Sequence, residues 1–382
     1  MSGKPVSETG KDPQVWALVL HWRGAELTRE CLKSLAGVGY PGLTVLLVDN
    51  GSDHNDGAKL KQEFPSIELL RLDANLGFAG GCNAGMMYCM ERGAEFIWLL
   101  NNDTKVTEEA LSLLMKQAIE HPQAAAFGAL MVDDLLSAKS DGNGAKIRSD
   151  GEAPRSDEPS RSSAGLNGNE SERESESQSA AVADKAQHAL FGKNTRSGRY
   201  HGAQDARPKT AGNGRGEIDF VRAKTFLRSD FSGRVVDCQW LSGSNLLLRS
   251  SALQMAGLFD ESYFLYFEDT ELCHRLRLGG WSCLLVPDAI IEHTGNASTD
   301  GKRRFWRDYY YTRNRLLFFT TYLKGAKSIP ACAFIFAHLL RHAIVLPFRG
   351  ERGRCQLKAE MLGARDFICR SFGKAQCLDW CD

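Results

Sequence analysis

The sequence predicts an α/β protein built on a mixed, mostly parallel sheet flanked by helices. Three observations predict it. Two continuous apolar runs, residues 43–49 and 96–100, end in acidic turns, Asp49-Asn50-Gly51-Ser52 and Asn101-Asn102-Asp103-Thr104. Runs of this kind suit strands buried on both faces. Strand-like and helix-like segments alternate through residue 132, the pattern of βαβ units. The alternation stops in a long polar stretch and resumes at Val235.

In order, strands are expected at 15–22, 43–49, 67–72 and 96–101, with a fifth at 125–132. Leu27, Cys31, Leu32 and Leu35 recur at helical spacing, and 79–92 predicts another helix. Thr107 followed by Glu108-Glu109 reads as a capped helix start. After the polar stretch come strands at 239–241 and 245–248, a helix at 250–256 and the aromatic run 263–267. A helix at 268–278, acidic at its start and basic later, ends at Gly279-Gly280, with Glu271 and Arg275 spaced to pair. A strand at 281–286 leads to Glu292-His293.

Lys plus Arg and Asp plus Glu both number 47, so the net charge is zero and the basic bias of a nucleic-acid binder is absent. Eleven scattered cysteines without a CxxC pair predict reduced thiols, with no disulfide framework or zinc site. Residues 1–13 are polar and lack an apolar signal core, which predicts a cytoplasmic chain with a flexible start. From 137 to 217 Ser, Gly, Asn and charged residues dominate. Too few large apolar side chains remain to offset ordering entropy, so this insertion is predicted to be disordered, with one short helix at 180–191. No run reaches the ~18 apolar residues of a membrane span. The nearest, 329–346, is interrupted at Arg341-His342 and flanked by Arg303, Arg304, Arg313, Arg315, Lys324, Lys327 and Arg349. It fits a buried helix or one seated peripherally on an anionic membrane face, and the sequence leaves both open.

Ligands of open parallel sheets bind beyond the carboxyl ends of the strands. Asp49 stands there, either as a turn residue or as an acceptor for a base N–H. The glycine-rich 75–85 segment could offer amides to an anion or allow close packing; it is neither a dinucleotide fingerprint nor a Walker loop. Asp103 could hold a hard divalent cation that neutralises a departing diphosphate, or could simply sit in a turn. Asp269 could be a general base, or part of the acidic first turn of its helix. His293 could be a further metal ligand.

Together these segments resemble glycosyltransferase family 2, in its rhamnosyltransferase and galactofuranosyltransferase-like branch. The similar stretches are LVDNGSD (47–53), NLGFAGGCNAG (75–85), WLLNNDT (98–104), WLSGSNLLLRSSAL (240–253), GLFDESYFLYFEDTELCHRLRLGGW (257–281), YYYTRNRLLFF (309–319) and MLGARDFICRSFGK (361–374). They cover about 15–132 and 235–374 and leave the insertion unmatched.

The resemblance implies a Rossmann-like GT-A fold. A nucleotide-sugar half (14–136) would precede the insertion, with an acceptor and catalytic half (218–300) and a helical C-terminal region (301–382) after it. It implies inverting transfer from a dTDP- or UDP-sugar to a glycan or lipid-linked acceptor in surface polysaccharide synthesis, with Mg²⁺ or Mn²⁺ as cofactor. Asp49, Asn75, Gly77, Asn83, Asn102 and Asp103 would serve the donor, and Asp103 with His293 the metal. Asp269 would be the base, with Trp240, Gly243 and Glu268 shaping the acceptor side. The metal motif departs from the family in reading Asn-Asn-Asp, and the first strand ends in His21-Trp22 in place of Asn-Trp. No QxxRW-type motif of a processive synthase is present. Two rivals are a glycosyltransferase-like protein without catalysis that recruits partners through the insertion, and a nucleotidyltransferase, which the poor approximation His21-Trp22-Arg23-Gly24 disfavours.

Overall fold

The computed structural model describes residues 12–132, 215–228, 233–293 and 301–376, with backbone only for 301–304. The expected helix at 180–191 and nearly all of the polar insertion lie outside the described residues.

The first half runs β1 (Val15–His21), α1 (Ala25–Ala36), β2 (Leu43–Asp49), α2 (Asp56–Glu63), β3 (Glu68–Arg71), α3 (Gly77–Glu91) and β4 (Phe96–Asn101). It continues with β5 (Thr104–Val106), α4 (Ala110–Glu120) and β6 (Ala124–Val132). The second half holds β7 (Arg215–Asp219), β8 (Lys224–Arg228), β9 (Val236–Asp237), β10 (Asn245–Arg249), α5 (Ser250–Ala256), α6 (Glu268–Leu278) and β11 (Ser282–His293). Three long helices close the chain: α7 (Gly301–Tyr322), α8 (Ser328–Val345) and α9 (Gly350–Ile368).

Among the described residues, nine strands form one sheet in the order β3-β2-β1-β4-β10-β6-β11-β5, with β9 on β11. Strands β3, β2, β1 and β4 are mutually parallel, and β10 enters antiparallel between β4 and β6. The mixed α/β sheet is thus as expected. Alternate residues of one strand feed opposite cores. Val15, Ala17 and Val19 join one with Leu32 of α1 and Leu114 of α4. Trp16 and Leu18 join the other with Met86 of α3 and Leu276 of α6. Both faces are covered, which is why the strands read as unbroken apolar runs.

Several elements differ from the sequence-based expectation. Thr107 caps nothing: its hydroxyl donates to the Ile290 carbonyl at 3.1 Å, and α4 starts three residues later. The strand foreseen at 281–286 continues to His293 through a register shift between Val286 and Ile290, where Pro287 cannot pair. The span 239–241 is no strand, only a bridge between Trp240 and Gly216. The predicted disorder up to 217 is corrected by the β7–β8 hairpin. Trp240 carries it, donating its indole N–H to the Glu217 carbonyl at 3.2 Å. A Cβ at Gly216 would lie 2.2 Å from the Trp240 carbonyl oxygen, so only glycine fits there.

The expected 329–346 helix is α8, and the stretch Gly325–Phe348 has a mean hydropathy of 1.8. It is therefore long and apolar enough to cross a membrane by length and composition, despite Arg341 and His342. Only 17% of that window is buried. The cysteines among the described residues are free thiols.

Candidate active site

A cavity of about 780 Å³ opens beyond the carboxyl ends of β1, β2 and β4. The strand-end turns supply one wall, with Arg23, Asn50, Gly51, Asn75, Asn102 and Asp103. Phe264 to Tyr266, Trp306, Arg307, Tyr310 and Lys374 also line the cavity.

Asp103 lies in the tight turn between β4 and β5. Strand β5 pairs antiparallel with the end of β11, setting Thr104 against His293. That register brings His293 Nε2 to 3.2 Å from Asp103 Oδ1, and both atoms are buried. Asp103 lines the cavity and His293 does not, but a carboxylate oxygen and an imidazole nitrogen side by side are suitable donors for a divalent cation. The β11 irregularity after Val286 thus bends the strand so that its last residue meets Asp103. Asn102 holds the turn, donating to the Arg23 carbonyl and to Thr28 Oγ1, each at 2.9 Å. Thr28 Oγ1 also lies 2.8 Å from Nδ1 of the buried His21, whose pKa burial lowers.

Asp49 is fully buried under the cavity floor and is not part of the lining. Its Oδ1 accepts the Ser52 N–H at 2.8 Å, while Oδ2 has no hydrogen-bond partner. A Cβ at Gly57 would stand 2.5 Å from that Oδ2. Gly51 and Asn50 from the same turn do face the cavity.

The glycine-rich segment packs closely and offers little to an anion. The Phe78 and Ala79 amides at the start of α3 donate to the Phe264 carbonyl at 2.7 and 3.2 Å. The Gly77 and Leu76 amides go to Asn75 Oδ1 and Asn50 Oδ1. A Cβ at Gly85 would lie 2.4 Å from Leu18 Cδ1, so small residues let the helix sit on the sheet. Asn83 faces away from the cavity lining. Its side chain donates to the Phe259 carbonyl and Glu261 Oε1 and accepts the Phe259 N–H, which ties α3 to the loop before α6.

Asp269, the second residue of α6, is not among the residues that line the cavity. Its Oδ2 accepts the Gly243 N–H at 2.9 Å, and Oδ1 accepts the Thr270 amide at 2.6 Å. The next residue, Ser244, accepts the Asn101 amide at 3.1 Å. Asp269 is therefore linked to the end of β4 through the 243–244 turn, and a Cβ at Gly243 would touch both Phe78 and Asp269. Glu268 beside it is buried, with no partner for Oε2. Burial, then the neighbouring Asp269, drives the Glu268 pKa well above the ordinary carboxylate value. Burial also raises Asp269, opposed by the Gly243 and Thr270 donors. The environments divide the pair: negative charge is best accommodated on Asp269 and a proton on Glu268. The expected Glu271–Arg275 pair is present, at 2.7 and 2.9 Å.

The sequence reading missed the role of Arg313-Asn314-Arg315. Arg313 and Arg315 fit either a membrane-flanking position or a helix packed on the core, and the structure buries both, with Asn314 between them. Arg313 donates to the Ser262, Tyr263 and Gly373 carbonyls. Asn314 Nδ2 reaches the carbonyls of Tyr263, Leu265 and Tyr266, each at 2.8 Å, and Arg315 bonds Ala223. Arg313 and Asn314 brace a loop in which Phe264, Tyr266 and Phe267 all have positive φ (60°, 67° and 74°). Such conformations cost roughly 1–3 kcal/mol each and persist where surrounding structure fixes them. Polar residues interrupting an aromatic-rich helix were the available signal.

Elsewhere, His338, His342 and Glu360 bring ligand-type atoms within 4.8 Å of one another. His342 Nδ1 already stands 2.7 and 2.9 Å from the Glu360 oxygens, a hydrogen-bonded clamp between α8 and α9.

Comparison with known proteins gives the following. Residues 18–140 match the family model described as glycosyl transferase family 2. The N-acetylglucosaminyl-diphospho-decaprenol L-rhamnosyltransferase of Mycobacterium tuberculosis is 27% identical over 265 residues, covering 67% of this chain and 68% of that protein. Rhamnosyltransferase WbbL of Escherichia coli K12 is 44% identical over 96 residues, 23% of this chain and 36% of that one. Among solved structures, mannosyltransferase PcManGT from Pyrobaculum calidifontis, in complex with GDP-Man and Mn²⁺, aligns with a TM-score of 0.48 at 12% identity, covering 97% and 91% of the two chains. GalNAc-T7 with UDP, GalNAc and Mn²⁺ aligns with a TM-score of 0.47 at 13% identity, covering 85% and 54%.

Proposed function

We propose that this chain, a glycosyltransferase carrying a glycosyl transferase family 2 segment over residues 18–140, transfers a sugar with inversion from a dTDP- or UDP-linked donor to a glycan or lipid-linked acceptor. Its place would be cell-surface polysaccharide synthesis. The observation that carries this reading is the meeting of β4, β11 and α6 at one sheet edge. Asp103 stands beside His293 there, and Asp269 is tied to the same strand end through Gly243 and Ser244.

In this reading the donor lies over the Asn50-Gly51 turn and Asn75, with its diphosphate toward Asp103 and His293. A bound Mg²⁺ or Mn²⁺ would neutralise charge on the leaving nucleoside diphosphate. The rest is done by the chain's own residues. Asn102 fixes the turn that carries Asp103, and the 264–266 loop screens the reacting centre from water. Asp269, ionised and aligned by the Gly243 and Thr270 donors, accepts the acceptor hydroxyl proton as that oxygen attacks the anomeric carbon. Glu268 holds its proton and so places no second charge beside the base. Asp49 acts from below, shaping the turn that faces the donor, while Trp240 and Gly243 form the acceptor side.

Helix α8 supplies the proposed contact with an anionic membrane surface. Ile329, Phe336, Leu340, Ile344 and Phe348 are exposed along it, with Lys324, Lys327 and Arg349 near its ends. An apolar stripe flanked by cations suits the interface of an anionic bilayer, where a lipid-linked acceptor would be found.

The reading is tested by a thermal-shift screen of dTDP- and UDP-sugars with Mn²⁺, followed by sugar-transfer assays with the donor that binds. No stabilisation by any nucleotide sugar would refute it.

A further inference from the structure

We propose that Lys374 is a diphosphate-binding residue, delivered into the cavity by a clasped segment after α9. The inference rests on the reading that the cavity takes a sugar nucleotide, and deepens it by naming the cation that faces the metal side.

The segment is held from three directions. The Gly373 N–H donates to the Ser262 carbonyl at 2.9 Å, and the Gly373 carbonyl accepts from Arg313 Nη1 at 2.8 Å. The Ala375 N–H donates to the Tyr310 hydroxyl at 3.0 Å. Gly373 has φ +74°, a turn suited to glycine. The residue between these fixed neighbours is Lys374, which lines the cavity. Beside it, Trp306, Tyr310 and Phe264 stack in sequence, with ring centroids 5.9 and 5.3 Å apart, so the wall carrying the lysine is rigid.

The charges of the cavity point the same way. Arg23 is offset by Asp53 at 3.8 Å, and Arg307 by Asp308 at 3.1 Å. Lys374 has no acidic partner among the described residues. An ammonium is a compact charge with three donors, suited to phosphate oxygens of varying orientation. It lines the same cavity as Asp103, so a diphosphate bound there would be shared by Lys374 and the turn that carries Asp103. The diphosphate could belong to the nucleotide donor or to a lipid-linked acceptor.

The test is calorimetric titration of the full chain with inorganic diphosphate and Mg²⁺, comparing the wild type with Lys374→Ala and Lys374→Arg. We expect affinity to fall on the order of tenfold in the alanine variant and to recover within a few-fold in the arginine variant. Lys374 is exposed, so the melting temperature should not move. Equal affinity of wild type and alanine variant overturns the proposal, as does a wild type that takes up no diphosphate. Parallel titrations with UDP or dTDP and with farnesyl diphosphate assign the source: a loss confined to either, or shared by both, supports the proposal. An equal loss with uridine, which carries no phosphate, overturns it by revealing a reshaped pocket. Because binding is read without turnover, failure of sugar transfer and failure of this inference remain separable.

Discussion

The Gly243 amide donates to Asp269 Oδ2 at 2.9 Å, joining the first turn of α6 to the turn that precedes β10. The bond sets the orientation of the carboxylate and biases it toward its ionised form, since a donated N–H stabilises negative charge. A Cβ at 243 would stand 3.0 Å from Phe78 Cε1, a tight approach, and 3.4 Å from Asp269 Cβ.

The first prediction concerns catalysis. Asp269→Asn keeps the shape and the Gly243 contact but removes the base. Turnover should fall by about 10²–10⁴ while donor affinity stays within a few-fold. Steady-state assays with donor titration check both quantities. Undiminished turnover would remove Asp269 from the mechanism.

The acidic pair also sets a pH dependence. Glu268 is raised in the folded state, so its favourable contribution to stability is present below the ordinary value of 4.5 and is lost as pH rises through the raised one. Glu268→Gln should therefore raise the melting temperature at pH values above the raised one, with the gain vanishing below pH 4.5. Activity has a different dependence. Burial raises Asp269, so the acid limb of the pH–rate profile should lie above its ordinary value of 3.8. Glu268→Gln should leave that limb in place, because Glu268 titrates after its neighbour. A limb that moves would show the pair sharing its proton the other way round.

How much of this was legible in the sequence follows from what each residue needs. The strands were visible because burial on both faces leaves an unbroken apolar run, as at Phe96 to Leu100. Asp103 was visible because it follows such a run directly. Its pairing with His293 came only from the family resemblance, since the contact depends on the short strand β5 and on the β11 irregularity, neither of which has a local apolar signature. Asn83 was misplaced for a related reason. In sequence a polar residue in a glycine-rich helix start resembles a ligand contact, but here it satisfies the backbone at Phe259, far along the chain. Arg313 and Arg315 look like surface cations until the loops that use their donors are folded around them.

Metal affinity should report the strand-end geometry. His293→Ala leaves Asp103 in place but removes the nitrogen 3.2 Å from its Oδ1. Mn²⁺-dependent stabilisation by donor should shrink in this variant and be abolished in Asp103→Ala, as read by thermal shift with and without metal. Full retention in both variants would place the metal elsewhere.

Asn314→Ala should act on the 263–267 loop. It removes a donor serving the Tyr263, Leu265 and Tyr266 carbonyls in a segment with unfavourable backbone angles. Each such hydrogen bond contributes about 0.5–1.5 kcal/mol, so urea unfolding should show a loss of about 1–3 kcal/mol. The Phe264 carbonyl, which receives the Phe78 and Ala79 amides, belongs to the same loop. Donor binding should therefore weaken along with stability, although Asn314 is not part of the cavity lining.

The final prediction separates a membrane-seated helix from a merely apolar one. Phe336 and Leu340 are exposed, at 67% and 52%, so Phe336→Asp with Leu340→Asp should not disturb the core. On phosphatidylglycerol vesicles the wild type should float with the lipid, and the double variant should stay in the soluble fraction. Added salt should weaken wild-type binding only in part, because the apolar face contributes roughly 25 cal/mol per Å² buried regardless of ionic strength. Transfer to a short, water-soluble acceptor should be unchanged in the double variant, since α8 lies outside the cavity lining. Transfer to a vesicle-borne acceptor should fall. A variant that floats as well as the wild type would show that this face does not seat on lipid.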